Sequence, residues 1–203
     1  MRHKKITILF LVFWMIIIQN VLGQSRSGYG KPLSVYKTPE GLTITSYSKN
    51  WNTTSKLSRV REELLSNFHS EEISYLKNIY IYPDSPDGVL AYTHFDIGRD
   101  IRGNYIYKPN TYIEIFDGNQ YKDIRELAWV LSHEYGHHFT SYYLVKKENK
   151  FFDQWRNTGY AKTRGISNHP KINYTHNYSL GNHKWDIMEI AAEDYVQLFG
   201  STN

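Results

Sequence analysis

The chain has 203 residues, of which 16% are aromatic, and this is enough for one buried core but not for two full domains. It has 24 Lys and Arg against 20 Asp and Glu, but three of the basic residues and none of the acidic ones precede residue 24, which leaves 21 − 20 = +1 for the remainder. That near-neutral charge, with no stripe of basic residues, argues against a nucleic-acid-binding protein. Cysteine is absent, so no disulfide framework stiffens the chain.

The first 23 residues have the pattern of a secretory signal peptide. A basic start precedes an apolar run over residues 6–18, and Val21 and Gly23 are small residues that suit a cleavage site. We therefore expect residues 1–23 to be removed, a secreted chain starting at Gln24, and no stable membrane insertion afterwards. A retained anchor helix is the alternative, although the apolar run is short for a membrane span.

The next segments predict a flexible lead-in followed by a single domain. Residues 24–32 are rich in Gly and Ser, and we expect the domain to occupy residues 33–203. The sequence then predicts a strand at 41–47 and a helix at 55–68, whose apolar stripe is Leu57, Val60, Leu64 and Phe68. A short helix capped by Ser70 is expected at 70–77.

Four runs of β-branched and aromatic residues follow, each bounded by Gly, Pro, Asn or Asp. They predict one small mixed sheet made of residues 78–82, 89–95, 104–108 and 111–116. A long helix should then begin at Asp123, with Glu126 completing a capping box, and end near Lys146. Residues 148–184 have no clear periodicity, and a last helix is expected at about 185–199 with Gly200 at its end. The fold class predicted is therefore α+β.

The long helix contains the sequence HEYGH at residues 133–137. His133 and His137 are four apart and project from one helix face, where two imidazoles can reach one zinc ion. Glu134 lies beside them and is placed to accept a proton from water. The alternative is a pair of core histidines with a salt-bridged Glu134, but an ionised carboxylate in so apolar a helix needs a reason to be there.

A catalytic zinc normally has three protein ligands, so a third is needed. The metzincin continuation is excluded because Thr140 and Tyr143 stand where its Gly and last His would be. Glu189 and Glu193 on the last helix are the best candidates, one to bind zinc and the other to hold a ligand histidine by its second nitrogen. A solvated acidic helix face is the alternative. Ala191 and Ala192 are small enough to let this helix approach the His helix closely.

HEYGH followed by EIAAEDYVQLFGS resembles the gluzincin zinc metallopeptidases, in particular the catalytic domains of the anthrax lethal factor and Pro-Pro endopeptidase family, over roughly residues 110–203. The resemblance implies a compact zincin-like domain with one zinc, bound by His133, His137 and Glu189. It implies Glu134 as general base and Glu193 as the partner of a ligand histidine.

The resemblance also implies which residues meet the substrate. The strand before the active-site helix, with Tyr112, Ile113, Glu114 and Ile115, would pair with an extended peptide. The family's catalytic Tyr would fall at Asn182 in this chain. Tyr178 and His183 are therefore the two candidates for stabilising the oxyanion.

The function expected from the sequence is a secreted, monomeric zinc endopeptidase that acts on an extended peptide or protein. The alternative is a secreted toxin-like or binding protein with a structural metal, in which His176 or His183 supplies a fourth ligand.

Overall fold

A five-stranded mixed sheet forms the frame of the protein in the computed structural model, which describes residues 28–86, 88–175 and 183–201. The strands are β1 (Ser34–Lys37), β2 (Thr43–Ser46), β3 (Leu76–Ile81), β4 (Ala91–His94) and β7 (Thr111–Ile115). Their spatial order is β1-β2-β3-β7-β4, with β2, β3 and β7 parallel and the outer strands β1 and β4 antiparallel to their neighbours. β4 is thus an edge strand of the described sheet.

The described α-helices are α1 (Thr54–Ser66), α2 (Ile124–Glu148), a short α3 (Gly159–Thr163) and α4 (Ile187–Phe199). Of these, α1 and α2 pack against the sheet, and α4 packs against α2. The main core joins the strands to α1 and α2 through fully buried aliphatic residues, among them Ile44, Ile79, Ile113, Leu57 and Leu131. The domain is therefore of the α+β class with a mixed sheet, as predicted. None of the described helices is long and apolar enough to cross a membrane.

The chain divides into two units, residues 1–32 and Leu33–Asn203. Of the first unit only residues 28–32 are described, and they form a turn in which Gly30 has φ of 70°. The predicted signal peptide at residues 1–23 and the predicted start at Gln24 lie outside the described residues.

Three helix boundaries follow from local capping. Asp123 accepts a hydrogen bond from the backbone N–H of Arg125 at 2.9 Å, and α2 ends where Asn149 adopts a left-handed conformation. Glu126 accepts from the backbone N–H of Lys122 at 2.6 Å, one residue earlier than a capping box requires. Asp186 caps α4 by accepting from the N–H of Met188 at 2.9 Å.

Several local predictions were wrong. Only the 3₁₀ turn Glu71–Tyr75 is helical in the predicted helix at 70–77, because Leu76 already starts the buried strand β3. The side chain of Ser70 does not cap this turn. Phe68 lies beyond the end of α1 and is 56% exposed.

The predicted single sheet was also wrong in one strand. β6 (Tyr105–Tyr107) does not join the main sheet but pairs with β5 (Ile97–Arg99) in a separate two-stranded ribbon. The turn between them needs Gly103 at φ of 83°, a conformation that other residues rarely adopt.

Candidate metal centre

His133 and His137 lie one helical turn apart on α2 and face the same side. Their rings meet edge to face with centroids 4.8 Å apart. His137 is buried and His133 is nearly so, which is unusual for imidazoles that make so few hydrogen bonds to the protein. The Nδ1 atom of each ring is buried and lacks a hydrogen-bond partner among the described residues.

Glu189, in the first turn of α4, reaches the Nε2 atoms of both rings. Its Oε2 lies 3.1 Å from Nε2 of His133, and its Oε1 lies 3.5 Å from Nε2 of His137. The structure therefore brings together the three residues that the sequence suggested as ligands, with ligand atoms within 4.8 Å of one another.

A close crossing of α2 and α4 makes this convergence possible. Gly136 lies between the two histidines, and a Cβ atom added there would be only 2.9 Å from the main-chain oxygen of Ala192. The predicted close approach at Ala192 is confirmed, and Gly136 is its counterpart on the facing helix. The start of α4 is also fixed, since Asn173 donates its N–H to Trp185 and accepts from the N–H of Ile187.

The donor set suits a divalent metal ion. Two imidazole nitrogens and one carboxylate are a set found at catalytic zinc sites, where each ligand atom lies about 2.0–2.2 Å from the metal. Ligands at that distance in a tetrahedral arrangement are about 3.3–3.4 Å apart. The N···O separations of 3.1 and 3.5 Å are close to this value, although they involve different oxygens of Glu189. With all three ligand atoms within 4.8 Å of one another, the group is compatible with one bound ion.

The electrostatics of the three side chains favour charge at this point. Burial alone would raise the pKa of Glu189, but hydrogen bonds from His133 and His137 outweigh it and hold that pKa well below its usual range. Burial likewise opposes protonation of His133, but the hydrogen bond to Glu189 and the negative charge of Glu134 raise its pKa. The centre is thus a buried site where a positive charge is favoured, whether it is a proton or a metal ion.

Glu134 lies beside this group without belonging to it. Its side chain is only 7% exposed, and its Oε2 accepts a hydrogen bond from the hydroxyl of Thr93 at 2.6 Å. Thr93 lies on β4 and also approaches the main-chain oxygen of Glu134, at 2.8 Å. Glu134 is therefore a buried carboxylate next to the candidate metal position, with its orientation set from the sheet.

Glu193 has the position expected for a partner of a ligand histidine, but the contact is loose. Its Oε2 lies 3.4 Å from Nδ1 of His133, without the alignment of a hydrogen bond. The Glu193 side chain is 45% exposed. Its influence on His133 is accordingly electrostatic rather than orienting.

The two oxyanion candidates have different outcomes. His183 lies just before α4, and its Nδ1 is 3.3 Å from Oε2 of Glu189, with the side chain 67% exposed. It is therefore at the rim of the metal group, where a substrate oxygen could be reached. Tyr178 and the alternative ligand His176 lie outside the described residues, so their predicted roles stay predictions.

The strand predicted to bind substrate needs correction. Tyr112, Ile113, Glu114 and Ile115 lie on β7, which is hydrogen-bonded to β3 on one side and to β4 on the other. Since both edges of β7 are occupied, it has no backbone edge for a peptide, and the prediction that it pairs with substrate was wrong. Ile113 and Ile115 belong to the core, and Glu114 accepts from the hydroxyl of Tyr82 and contacts His94 at 2.8 Å. Within the described sheet, the edge strand that contacts α2 is β4.

Two residues at the site were missed in the sequence. Trp129 is one turn before His133, is 49% exposed, and places its ring 5.4 Å from that imidazole. Its i, i−4 spacing could have indicated this contact. Thr93 is 41 residues from Glu134 in sequence and comes close only through the sheet, so no local pattern could have indicated it.

Comparison with known proteins found no matching family model, no matching curated protein and no matching solved structure.

Proposed function

We propose that this protein is a zinc-dependent endopeptidase with a zincin-like arrangement of α2, α4 and the sheet. The support is the combination of a buried His133, His137 and Glu189 group with an adjacent carboxylate that is not part of the group. Both features have the residue types and positions that metal-assisted hydrolysis requires.

The observation that carries the proposal is the position of Glu134. A structural metal site has no use for a second buried carboxylate next to the ligands, whereas a hydrolytic site needs a base within reach of water. Glu134 is buried, lies between the two histidines in sequence and is held by the hydroxyl of Thr93. Burial of a carboxylate with so little protein hydrogen bonding is costly, which favours a chemical reason for keeping it.

Each residue of the site has a role in the proposed reaction. His133, His137 and Glu189 would hold the ion, and zinc bound there would polarise the scissile carbonyl and acidify a water molecule. Glu134 accepts the proton of the attacking water and returns it to the leaving amine. His183, which lies at the rim of the group, would donate a hydrogen bond to the developing oxyanion.

An extended peptide is the substrate class that the sheet supports. β4 is an edge strand of the described sheet, and its residue Thr93 contacts Glu134. An edge strand offers backbone N–H and C=O groups that an extended peptide can pair with. A peptide on β4 would therefore run past the proposed base, which replaces the role first given to β7. Secretion of the enzyme remains a prediction from residues 1–23.

The second candidate is a protein with a structural metal. It is favoured by the contact of His183 with Glu189, because a fourth side-chain ligand would close the site to water. The two candidates differ in whether the bound metal keeps an exchangeable position.

The first experiment is the zinc content of the purified, zinc-reconstituted protein and of its Glu189→Ala variant, together with hydrolysis of a mixed peptide library. We expect about one zinc per chain in the parent, a sharp loss in the variant, and hydrolysis that stops when zinc is chelated. Zinc without hydrolysis, with unfolding on chelation, would indicate the structural site. Folded protein that binds no zinc would refute both.

A further inference from the structure

The hydroxyl of Thr93 lies within hydrogen-bond distance of two oxygens of Glu134. Its Oγ1 lies 2.6 Å from Oε2 of Glu134 and 2.8 Å from the main-chain oxygen of the same residue. A hydroxyl has one hydrogen, and an ionised carboxylate is a stronger acceptor than an amide carbonyl. The hydroxyl of Thr93 is therefore donated to Oε2 whenever Glu134 is ionised.

The backbone holds this hydroxyl in place. Thr93 pairs with Ile113 in the antiparallel ladder between β4 and β7, and Ala91, on the same face of β4, packs against the main core. A β-branched side chain also has few χ1 rotamers available. Thr93 is thus a fixed donor directed from the sheet towards α2.

This contact makes the two oxygens of the Glu134 carboxylate different. Within residues 28–86, 88–175 and 183–201, Thr93 is the one hydrogen-bond donor to that carboxylate, and Oε1 accepts none. A general base needs a lone pair that is directed at the proton it will take. With Oε2 held by Thr93, rotation of the carboxylate is restricted and Oε1 is the oxygen available for this purpose.

We propose that Thr93 is a positioning residue for the general base, and this inference rests on the proposed endopeptidase function. Thr93 donates to Oε2 of Glu134 and so leaves Oε1 to take the proton from water and to return it to the leaving amine. Because Thr93 lies on the edge strand β4, the strand proposed to pair with the peptide also orients the base.

The second acceptor explains how the contact survives the reaction. When Oε1 holds the proton, the carboxyl group is neutral and Oε2 is a weaker acceptor. The main-chain oxygen of Glu134, 2.8 Å from the same hydroxyl, then offers an alternative at almost the same distance. The half-buried hydroxyl therefore keeps an acceptor in both protonation states, which avoids the cost of an unsatisfied donor.

The test uses the zinc-loaded protein and three variants: Thr93→Val, Thr93→Ser and the control Thr111→Val. Thr111 is fully buried on the neighbouring strand β7, and its hydroxyl donates to Tyr107 at 3.1 Å, away from the base. Loss of a hydrogen bond to a charged group should lower kcat of Thr93→Val by about 10- to 100-fold. We expect KM within about threefold of the parent and zinc content unchanged. Thr93→Ser should recover kcat to within about fivefold, and Thr111→Val should leave kcat unchanged.

Zinc-free crystal structures of the parent and Thr93→Val supply a readout that does not depend on activity. Glu134 should have one side-chain conformation in the parent and a displaced or split one in the variant. Thr93→Val with the kcat of Thr111→Val would overturn the positioning role, and so would an unmoved Glu134. In both cases an active parent leaves the endopeptidase function standing. A parent that cleaves no peptide refutes that function, and the crystal structures then decide whether Thr93 orients Glu134 at all.

Discussion

Two buried glutamates, Glu134 on α2 and Glu72 packed against that helix, have sharply different surroundings. Glu72 is fully buried, and its carboxylate accepts hydrogen bonds from the backbone N–H of Ser70 at 2.9 Å, from Tyr135 at 2.7 Å and from Tyr143 at 3.0 Å. Glu134 is buried almost as completely, but in the described part of the chain its carboxylate accepts from Thr93 alone.

The histidines of the same helix differ in the same way. His138 is fully buried with both ring nitrogens engaged, since Nδ1 accepts from the hydroxyl of Tyr107 and Nε2 donates to the main-chain oxygen of Glu72, each at 2.8 Å. His133 and His137 instead direct Nε2 at Glu189 and leave Nδ1 without a hydrogen bond in the described residues.

The number of hydrogen bonds distinguishes buried polar groups that serve the fold from those that we assign to catalysis and metal binding. Glu72 and His138 have the hydrogen bonds that burial requires, so they can be explained by folding alone. Glu134, His133 and His137 lack them, so their burial costs stability unless a metal ion and a substrate complete the site. We therefore expect changes at the first pair to affect stability, and changes at the second group to affect activity and metal binding.

The largest effect expected is on turnover of Glu134→Gln. Glutamine has nearly the same shape and can still accept from Thr93, but it cannot take a proton from water, so kcat should fall by about 10²- to 10⁴-fold. Zinc content should match the parent, and the melting temperature should change by no more than about 2 °C, measured by calorimetry and metal analysis. Retention of parental turnover would refute the assignment of Glu134 as the base.

The same substitution at the other buried glutamate, Glu72→Gln, should affect stability instead of turnover. The amide is a weaker hydrogen-bond acceptor than the carboxylate for the hydroxyls of Tyr135 and Tyr143. We expect the weakened hydrogen bonds to lower the free energy of unfolding by about 3 kcal/mol. For a chain of this size that corresponds to a drop of about 6–12 °C in melting temperature. The folded variant should keep the kcat of the parent. A loss of kcat without a loss of stability would remove the distinction between the two glutamates.

Sequence reasoning succeeded where the determining interactions are local. HEYGH on a helix capped by Asp123, and Glu189 on a helix capped by Asp186, depend on helical period and on capping side chains within a few residues. From these, His133 and His137 could be predicted as a pair, and Glu189 and Glu193 as the two candidates for the third ligand, of which the gluzincin resemblance implied Glu189.

Strand order could not be predicted in the same way. β7 lies between β3 and β4, although strands that follow one another in sequence are most often neighbours. Because β7 is inserted there, β4 lies at an edge of the described sheet and Thr93 comes close to Glu134. Both facts depend on pairing between distant segments, and the apolar runs that predict strands contain no information on which strand is outermost.

The acid stability of the protein should depend on His138. Burial lowers its pKa from 6.5 to about 4 in the folded state, so between these pH values the unfolded chain binds more protons. This contribution to stability is therefore complete above pH 6.5 and is lost as the pH falls towards 4, by a total of about 3 kcal/mol. Urea unfolding of metal-free protein at pH 7, 6 and 5 should show a shallower loss of stability in His138→Gln than in the parent. Parallel curves would mean that His138 is not buried in its neutral form.

The smallest effect is expected at Glu193. A variant there tests whether a residue that is not itself a proposed ligand contributes to metal binding. A carboxylate that holds a ligand histidine by a hydrogen bond typically changes metal affinity by 10- to 100-fold. Glu193 is half exposed and not aligned with Nδ1 of His133, so only its charge should act, and water screens that charge. We expect Glu193→Gln to weaken zinc binding by about two- to fivefold in a competition titration.

Asp194→Asn is the matched control, because it removes the same charge from α4 at a side chain that contacts Tyr160 and Arg164 instead of His133. It should weaken zinc binding by less than about twofold, since its charge is paired with Arg164. Equal effects of the two variants would show that Glu193 contributes only to the general charge of α4. A loss of more than tenfold in Glu193→Gln alone would show that zinc binding aligns Glu193 with His133, which would make it as much a part of the metal centre as Glu189.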